Sequence, residues 1–377
     1  MLEVQKFLNS YPKETGLKEL ENQFAIKVRD YPNHGIVMLN YHMLDSPKTH
    51  PITIECRSLI LNRENYEVVS RKFDRFFNLG ENPEFYIDFD FKNCHILSKE
   101  DGSLIGVYYN PIIKNYSLST RSLANAEMEH LLGGTWYNRI LSSFGFYNEC
   151  QFQRLWGSIP DSKNWTFIFE MIGPENRIVT PYAKSEMVFI GATSVSGQWM
   201  TWKEMTAIME YFDPLEVRLP EIYITPNSIN ELIDHVSTLP DLKEGFVIWD
   251  SATNKRQKIK SKAYMAAHAI RGENTLPTRK NIFSLIFSGE ADEFLVYFPE
   301  YKELFDMAKN EIEDIEKSLI KNWDKVSKIE DQKEFALIAK DLPQSFILFM
   351  AKKQKKNPIQ VFHELAVDKK VSLLLGT

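Results

Sequence analysis

The sequence is poor in the residues that announce several common kinds of chemistry. Cys56, Cys94 and Cys150 are the three cysteines in 377 residues. With no CxxC pair they suggest neither a zinc knuckle nor a disulfide framework, and a reducing cytoplasm is the expected compartment. The eight histidines are scattered, without HExxH or comparable ligand spacing, so a metal-dependent hydrolase has no support. No stretch approaches the ~18 consecutive apolar residues of a membrane span, and no membrane partner is expected. The opening MLEVQKFLNSYPKE has no sustained apolar segment, so no secretory signal is expected either. Positive charge is also short, with a net charge of −6. A general nucleic-acid coat would be basic, so a polyanion has to be held by a local patch. There is no internal repeat and no low-complexity tract.

What is present is an ordinary soluble composition, 44% hydrophobic and 25% charged, long enough for roughly two domains. Up to about residue 264 the texture is strand-rich. IECRSLILN, SLIGVYYN, NYSLSTRS and NWTFIFEMIG read as strands, and GFVIWDSATNKRQKIKS reads as a hairpin with its loop at Asp250–Asn254. Residues 121–160 are expected to hold a helix from Ala124 to Leu132 and an irregular insertion. Beyond 264 the texture changes. Ile312, Ile315, Leu319, Trp323 and Val326 fall on one helical face. Segments 334–353 and 358–374 also read as helices, with Pro343 expected to break the first and Pro358 to start the second. The chain therefore reads as α+β, with an all-helical tail and a boundary near 265.

One local patch is basic. Residues 254–280 carry Lys255, Arg256, Lys258, Lys260, Lys262, Arg271, Arg279 and Lys280 against Glu273 alone. The run from Lys352 to Lys356 reads instead as a solvated face.

Five short segments set charge into apolar surroundings. In SKEDGSL, Lys99, Glu100 and Asp101 precede Gly102, which is expected to supply positive φ in a hairpin turn. In TFIFEMIG, Thr166, Ile168 and Glu170 share one strand face, while Phe167 and Phe169 share the other. In LKEGFVIW, Glu244 and Gly245 precede an apolar strand. In QKIKSKAY, Lys258 and Lys260 project from one face with Ile259 opposite. In ECRSLIL, Arg57 interrupts a strand that otherwise prefers burial. Singly, each has an ordinary explanation: an exposed turn, a strand end, a lysine-blunted edge or a structural ion pair.

In this order, however, KEDGS at 99–103, FE at 169–170, EG at 244–245 and KIK at 258–260 resemble the motifs of the covalent nucleotidyltransferases. That superfamily includes ATP-dependent DNA and RNA ligases and mRNA capping enzymes. The match is closest to the phage RNA ligase 1 family, which includes the tRNA-repair ligase of T-even phages. ECRSLIL, FFNLGENP at 76–83, SKEDGSL, PENRIV at 174–179 and KIKSKAY carry it, from about residue 50 to 264.

The resemblance implies a ligase-type nucleotidyltransferase domain with antiparallel sheets over 1–264, and a helical C-terminal domain over 265–377 that serves RNA specificity. Lys99 would attack the α-phosphate of ATP. Lys258 and Lys260 would contact that phosphate. Glu170 would bind ribose or metal water, and Glu244 would be a metal-site carboxylate. Arg57 would grip the ATP phosphates, Gly102 would let the backbone approach the nucleotide, and Tyr264 would lie near it. Glu100 joins the nucleotide-binding set, Asp101 the metal set, and Arg121 and Arg271 the RNA-binding set. Arg75 and Arg121 stand where the family has lysines, and Leu39 where it has a tyrosine, with Tyr41 two places on. A free lysine with pKa ~10.4 is a cation at neutral pH. Nucleophilic attack therefore needs nearby Lys258 and Lys260, or a bound metal, to favour the neutral amine. Mg²⁺ or Mn²⁺ is thus expected beside ATP.

The implied activity is an ATP-dependent RNA ligase joining 3′-hydroxyl and 5′-phosphate ends. Its substrate would be broken tRNA, a polynucleotide kinase-phosphatase would heal the ends, and a phage-encoded chain would work in the host cytoplasm. The tail aromatics Phe298, Tyr301, Phe346 and Phe362 are candidates for base stacking. A DNA ligase or capping enzyme would carry a β-rich OB-fold after the catalytic domain. A catalytically inactive RNA-binding relative would keep the fold without forming the adduct.

Overall fold

The computed structural model describes every residue except 83–88, 127–134, 177, 240–241, 270–276, 298 and 377. Two compact units are present, Met1–His268 and Ala269–Thr377.

Among the described residues the first unit holds thirteen strands in three sheets. The strands β1 (Ile26–Tyr31), β2 (Ile36–Tyr41), β3 (Arg57–Asn62) and β4 (Val68–Ser70) form an antiparallel meander. Helices Glu3–Asn9 and Lys13–Phe24 bury Val4, Leu8 and Leu20 against Val37, Leu39, Leu59 and Leu61 of this sheet. The remaining strands are β5 (Cys94–Lys99), β6 (Ser103–Asn110), β7 (Asn115–Ser119), β8 (Trp165–Ile172), β9 (Glu186–Ser194), β10 (Val217–Arg218), β11 (Ile222–Tyr223), β12 (Gly245–Asp250) and β13 (Arg256–Lys260). One sheet has the order β10-β9-β8-β6-β7, the other β11-β5-β12-β13. All pairs are antiparallel except β10 with β9.

Alternation decides the faces. Phe167 and Phe169 of β8 enter a core with Phe189, Phe144, Phe152, Trp156 and Phe212, while Ile168 faces Phe73 and Leu104. Ile96, Phe246, Ile248 and Ile259 pack under helix Ile229–Ser237 through Leu232 and Val236. The lysine-bearing side of β5, β12 and β13 is the opposite one.

The irregular insertion expected within 121–160 is instead two helices, Trp136–Phe144 and Glu149–Ser158. Thr135 caps the first and Gly145 closes it at φ +87; Asn148 caps the second. Each fully buried aromatic or Ile on them contributes about 1.5–3 kcal/mol through the water it excludes, which offsets the ordering of a loop-rich stretch. Of the helix expected at Ala124–Leu132, residues 124–126 form bends and the rest lies outside the described residues.

In the second unit every described regular element is a helix: Arg279–Ser288, Ala291–Tyr297, Lys302–Val326, Gln332–Ala339, Ser345–Gln354, Pro358–Glu364 and Val367–Leu375, with a 3₁₀ turn at Pro299–Tyr301. Ile312, Leu319 and Val326 are buried along the longest. The break before Ser345 contains Pro343, and Pro358 opens its helix behind an Asn357 cap. No OB-fold is present among the described residues. Phe362 is buried and Phe346 is 49% exposed, whereas Phe298 lies outside the described residues. Among the described residues no helix is long and apolar enough to cross a membrane.

Candidate functional site

Strand register builds the centre of the site. Lys99 of β5 and Lys260 of β13 both lie opposite Gly245 of the central strand β12, and Lys258 lies opposite Val247. Directly paired residues share a face, so the three lysines project together. Glu244, one residue before β12, sits between two of them. Its Oε1 is 2.6 Å from Lys99 Nζ and 3.1 Å from Lys260 Nζ, and it is 3% exposed against 21% for Lys99. Buried to that degree, a carboxylate needs its cations. Lys258 lies over the Phe76 ring, 5.5 Å from its centre.

The glycine after Glu244 is required by geometry. Gly245 has φ +144, and a Cβ there would lie 2.0 Å from the Ile259 carbonyl oxygen.

Glu170 approaches from the other sheet, paired with Leu104 and Val188. Burial pushes its carboxyl up to about 8. Lys99 and Arg57 oppose that shift, while Glu244 and Asp101 reinforce it. Lys99, Glu244, Arg57 and Asp101 therefore all lie within electrostatic reach of Glu170.

The Glu100–Gly102 loop is not a hairpin turn. β5 and β6 belong to different sheets, so the loop is a crossing between them. Gly102 does not have positive φ. It is required because a Cβ would lie 2.2 Å from the Met171 carbonyl oxygen. Asp101, expected among the metal ligands, is 2% exposed and committed to protein donors. Its Oδ2 accepts the amides of Val179 and Thr180, each at 2.7 Å, and its Oδ1 accepts the Tyr264 hydroxyl at 2.8 Å. Tyr264 is itself buried, with Lys260 Nζ 5.3 Å from its ring centre. Glu100 is likewise occupied, accepting from Ser98, Arg218 and Tyr182. Its carboxyl is held down by Arg218, Ser98 and Tyr182 although burial works the other way.

A second cluster gathers cations around one phenol. Arg75 and Arg121 lie over the Tyr41 ring at 4.5 and 4.7 Å. Arg57 donates to the Phe73 carbonyl at 3.3 Å. A bulge between β2 and β3 sets this up. Register shifts after Leu39, and buried Ser58 takes φ +60, a conformation a non-glycine residue holds only when its surroundings enforce it. Asn40 accepts the Ser58 amide at 2.8 Å, and the Ser58 hydroxyl donates to the Arg121 carbonyl at 2.6 Å. Arg121 also donates to Asn40. Burial alone would push the Tyr41 hydroxyl up; Arg121, Arg57 and Arg75 outweigh it and bring it to about 8. Arg75 Nη1 is buried without a hydrogen-bond partner.

Beneath this cluster Lys72 is 1% exposed and donates to the Thr120 carbonyl at 3.2 Å. Burial and the neighbouring guanidiniums push its amine well below the usual lysine range. Sequence reasoning missed Lys72, and noted Tyr41 only as displaced from an expected position. A lysine in a run of charges carries no mark of burial.

The basic run 254–280 is not one exposed stripe. Arg256 is buried among Phe73, Trp199 and Trp249, 4.6, 4.6 and 4.7 Å from their ring centres. Lys260 is 8% exposed and Arg279 pairs with Glu311. Arg271 lies outside the described residues.

The donor set suits a nucleoside triphosphate with a divalent cation. The guanidiniums of Arg57, Arg75 and Arg121 gather here, and Arg75 Nη1 is buried without a hydrogen-bond partner. Glu170 and Glu244 offer the hard oxygens that Mg²⁺ and Mn²⁺ prefer.

Comparison with known proteins points the same way. A family model described as RNA ligase matches residues 55–265. A protein of Autographa californica nuclear polyhedrosis virus, named as a candidate bifunctional polynucleotide kinase/RNA ligase, is 32% identical over 317 residues. That match takes in 81% of this chain but 43% of the viral protein, so the chain spans less than half of that relative. A candidate RNA ligase of Thermovibrio ammonificans is 26% identical over 365 residues, covering 89% of this chain and 88% of its own. The solved structure of an archaeal ATP-dependent RNA ligase has a TM-score of 0.50 at 14% identity, covering 94% of this chain and 82% of that one. At that identity it speaks for the fold alone.

Proposed function

Because the chain belongs to the RNA ligase family, we propose that it is an ATP-dependent RNA ligase whose nucleophile is Lys99. The observation that carries this reading is the convergence of Lys99, Lys258 and Lys260 on one sheet face, with Glu244 between two of them.

In the first step Lys99 Nζ attacks the α-phosphorus of ATP. A P–N bond forms, the bond to pyrophosphate breaks, and the amine proton is lost. Lys258 and Lys260 hold the α-phosphate where charge builds, and Arg57, Arg75 and Arg121 hold the departing pyrophosphate. Glu244 holds Lys99 Nζ at 2.6 Å, so the amine can reach the phosphorus only when that carboxylate is engaged elsewhere. A divalent cation held by Glu170 and Glu244 would engage it and neutralise phosphate charge. AMP then passes to an RNA 5′-phosphate, and a 3′-hydroxyl displaces it to close the phosphodiester.

Broken tRNA is our substrate assignment, with the helical unit supplying its recognition. A polynucleotide kinase-phosphatase is the partner we assign. Support comes from the viral relative, whose name joins a polynucleotide kinase to an RNA ligase. All three cysteines are free thiols, which suits a cytoplasmic location.

The test is incubation with each of the four α-labelled nucleoside triphosphates and Mg²⁺ or Mn²⁺, followed by a chase with 5′-phosphorylated RNA or DNA. Label should enter the protein from ATP alone and leave on RNA ends. A protein that binds ATP yet never becomes labelled is an inactive RNA-binding relative. A chase that works only with DNA makes it a DNA ligase.

Tyr41 gives this site a pH dependence. Below pH 8 its neutral phenol leaves the three guanidiniums to the phosphates; above 8 its phenolate takes part of their charge. If bound phosphates return Tyr41 to its ordinary value of ~10, half-saturating ATP rises about tenfold from pH 7 to pH 9. Tyr41→Phe should flatten that rise. An equal rise in both proteins would remove Tyr41 from the ATP site.

A further inference from the structure

Between β8 and β9 the chain passes through residues 178–182, and this segment is bonded both to the loop that follows Lys99 and to the turn that precedes Glu244. On one side it clasps the loop that follows Lys99. The Val179 and Thr180 amides donate to Asp101 Oδ2, while the Asp101 amide donates to the Tyr182 hydroxyl at 2.8 Å and that hydroxyl donates to Glu100 at 3.1 Å. On the other side the Thr180 hydroxyl donates to the Leu242 carbonyl at 2.6 Å. Leu242 stands two residues before Glu244 and takes φ +71, a strained conformation for a leucine. The Ser261 hydroxyl holds the next carbonyl, that of Lys243, at 2.8 Å.

We propose that Thr180 is a positioning residue: it braces the strained turn at Leu242 against the Asp101 loop, and so sets how Glu244 meets Lys99. Thr180 is 7% exposed and touches neither Lys99 nor Glu244 through any of these bonds. Its amide and its hydroxyl reach opposite sides. The amide bond fixes the crossing loop, whose first residue follows the nucleophile. The hydroxyl bond holds the carbonyl of Leu242 itself, the residue with the strained φ. Loss of that bond leaves the fold in place, because the core beneath β8 and β12 does not depend on it. It lets Glu244 drift relative to Lys99, and reacting groups that lose alignment lose rate more than affinity.

The inference rests on Lys99 being the nucleophile, and one experiment separates the two. Full-length wild type, Lys99→Ala, Thr180→Val, Thr180→Ser and Tyr182→Phe proteins are mixed with α-labelled ATP and Mg²⁺. The rate and amplitude of single-turnover labelling are followed across ATP concentration. Thr180→Val should keep the amplitude and the half-saturating ATP concentration but label on the order of tenfold more slowly, and Thr180→Ser should recover most of the rate. An unchanged rate in Thr180→Val, a loss confined to amplitude, or equal loss in the serine variant overturns the brace. If Thr180→Val is insoluble, Tyr182→Phe reads the other anchor, and an unchanged rate there overturns the brace as well. Absence of labelling in wild type, or labelling of Lys99→Ala, sinks the nucleophile and the brace with it; an unchanged Thr180→Val rate, with wild type labelled and Lys99→Ala unlabelled, sinks the brace alone.

Discussion

Lys99→Ala protein takes up no label from α-labelled ATP. The reasoning is one of placement. An amine fixed against the α-phosphate acts at an effective concentration on the order of 10⁵ M or more, and no solvent nucleophile replaces it. Lys260 is near, but it lies across β12 from Lys99 and is held by Glu244 at 3.1 Å. The variant should fold normally. Lys99 is the more exposed partner of Glu244, and its loss leaves the buried carboxylate still paired with Lys260. The cost should be about 1 kcal/mol, as for an ordinary substitution. Lys99→Arg should be equally inactive, because a guanidinium does not give up its proton at working pH. A thermal unfolding midpoint near wild type with no adduct meets the prediction. A labelled Lys99→Ala protein would refute the assignment.

Gly245→Ala should be the most destabilising single methyl in the site. A backbone at φ +144 is one that alanine adopts only under strain of about 1–3 kcal/mol. The added Cβ must also fit where the Ile259 carbonyl oxygen is 2.0 Å away and Lys260 Cα 2.8 Å away. Overpacking of that kind costs about 1–3 kcal/mol more, because backbone rather than a side chain has to yield. The sum is a large share of the ~5–15 kcal/mol by which a domain is stable. The shift needed to relieve the clash would part β12 from β13 where Lys260 meets Glu244. The measurement is urea unfolding followed by circular dichroism, with labelling assayed on the folded fraction. A midpoint equal to wild type would show that the strand pair relaxes freely, and the close approach of Ile259 would then carry no energetic meaning.

Local pattern made part of this legible. Period-two alternation places Lys258 and Lys260 opposite Ile259, and Glu170 opposite Phe167 and Phe169, because successive side chains on a strand cannot share a face. The five-residue apolar stepping from Ile312 to Val326 marks a helix for the same kind of reason. The two helices between 136 and 158 were equally marked, by the Thr135 and Asn148 caps and by Gly145. Their aromatic and polar mixture hides an apolar face that becomes evident only once Phe144, Phe152 and Trp156 meet β8.

The errors lie where contacts are long in sequence. Gly102 reads as a turn glycine because nothing nearby in the chain reveals Met171, almost seventy positions away, against which it packs. That Val179, Thr180 and Tyr264 donate to Asp101 is hidden for the same reason, since all three are remote in the chain. The arginines are visible one by one, but their meeting at Tyr41 depends on a bulge at Ser58 that no propensity signals.

From the order of its motifs the chain already declares its family, its nucleophile candidate and the α+β texture followed by helices, since these depend on residue identity and on periodicities a few positions long. Only tertiary structure decides that Lys99 and Lys260 flank Gly245, that Glu244 joins them, and that the loop after Lys99 crosses between sheets. Strand register and sheet membership are set by non-local pairing and burial, and a slip of one residue would turn those lysines to the opposite face.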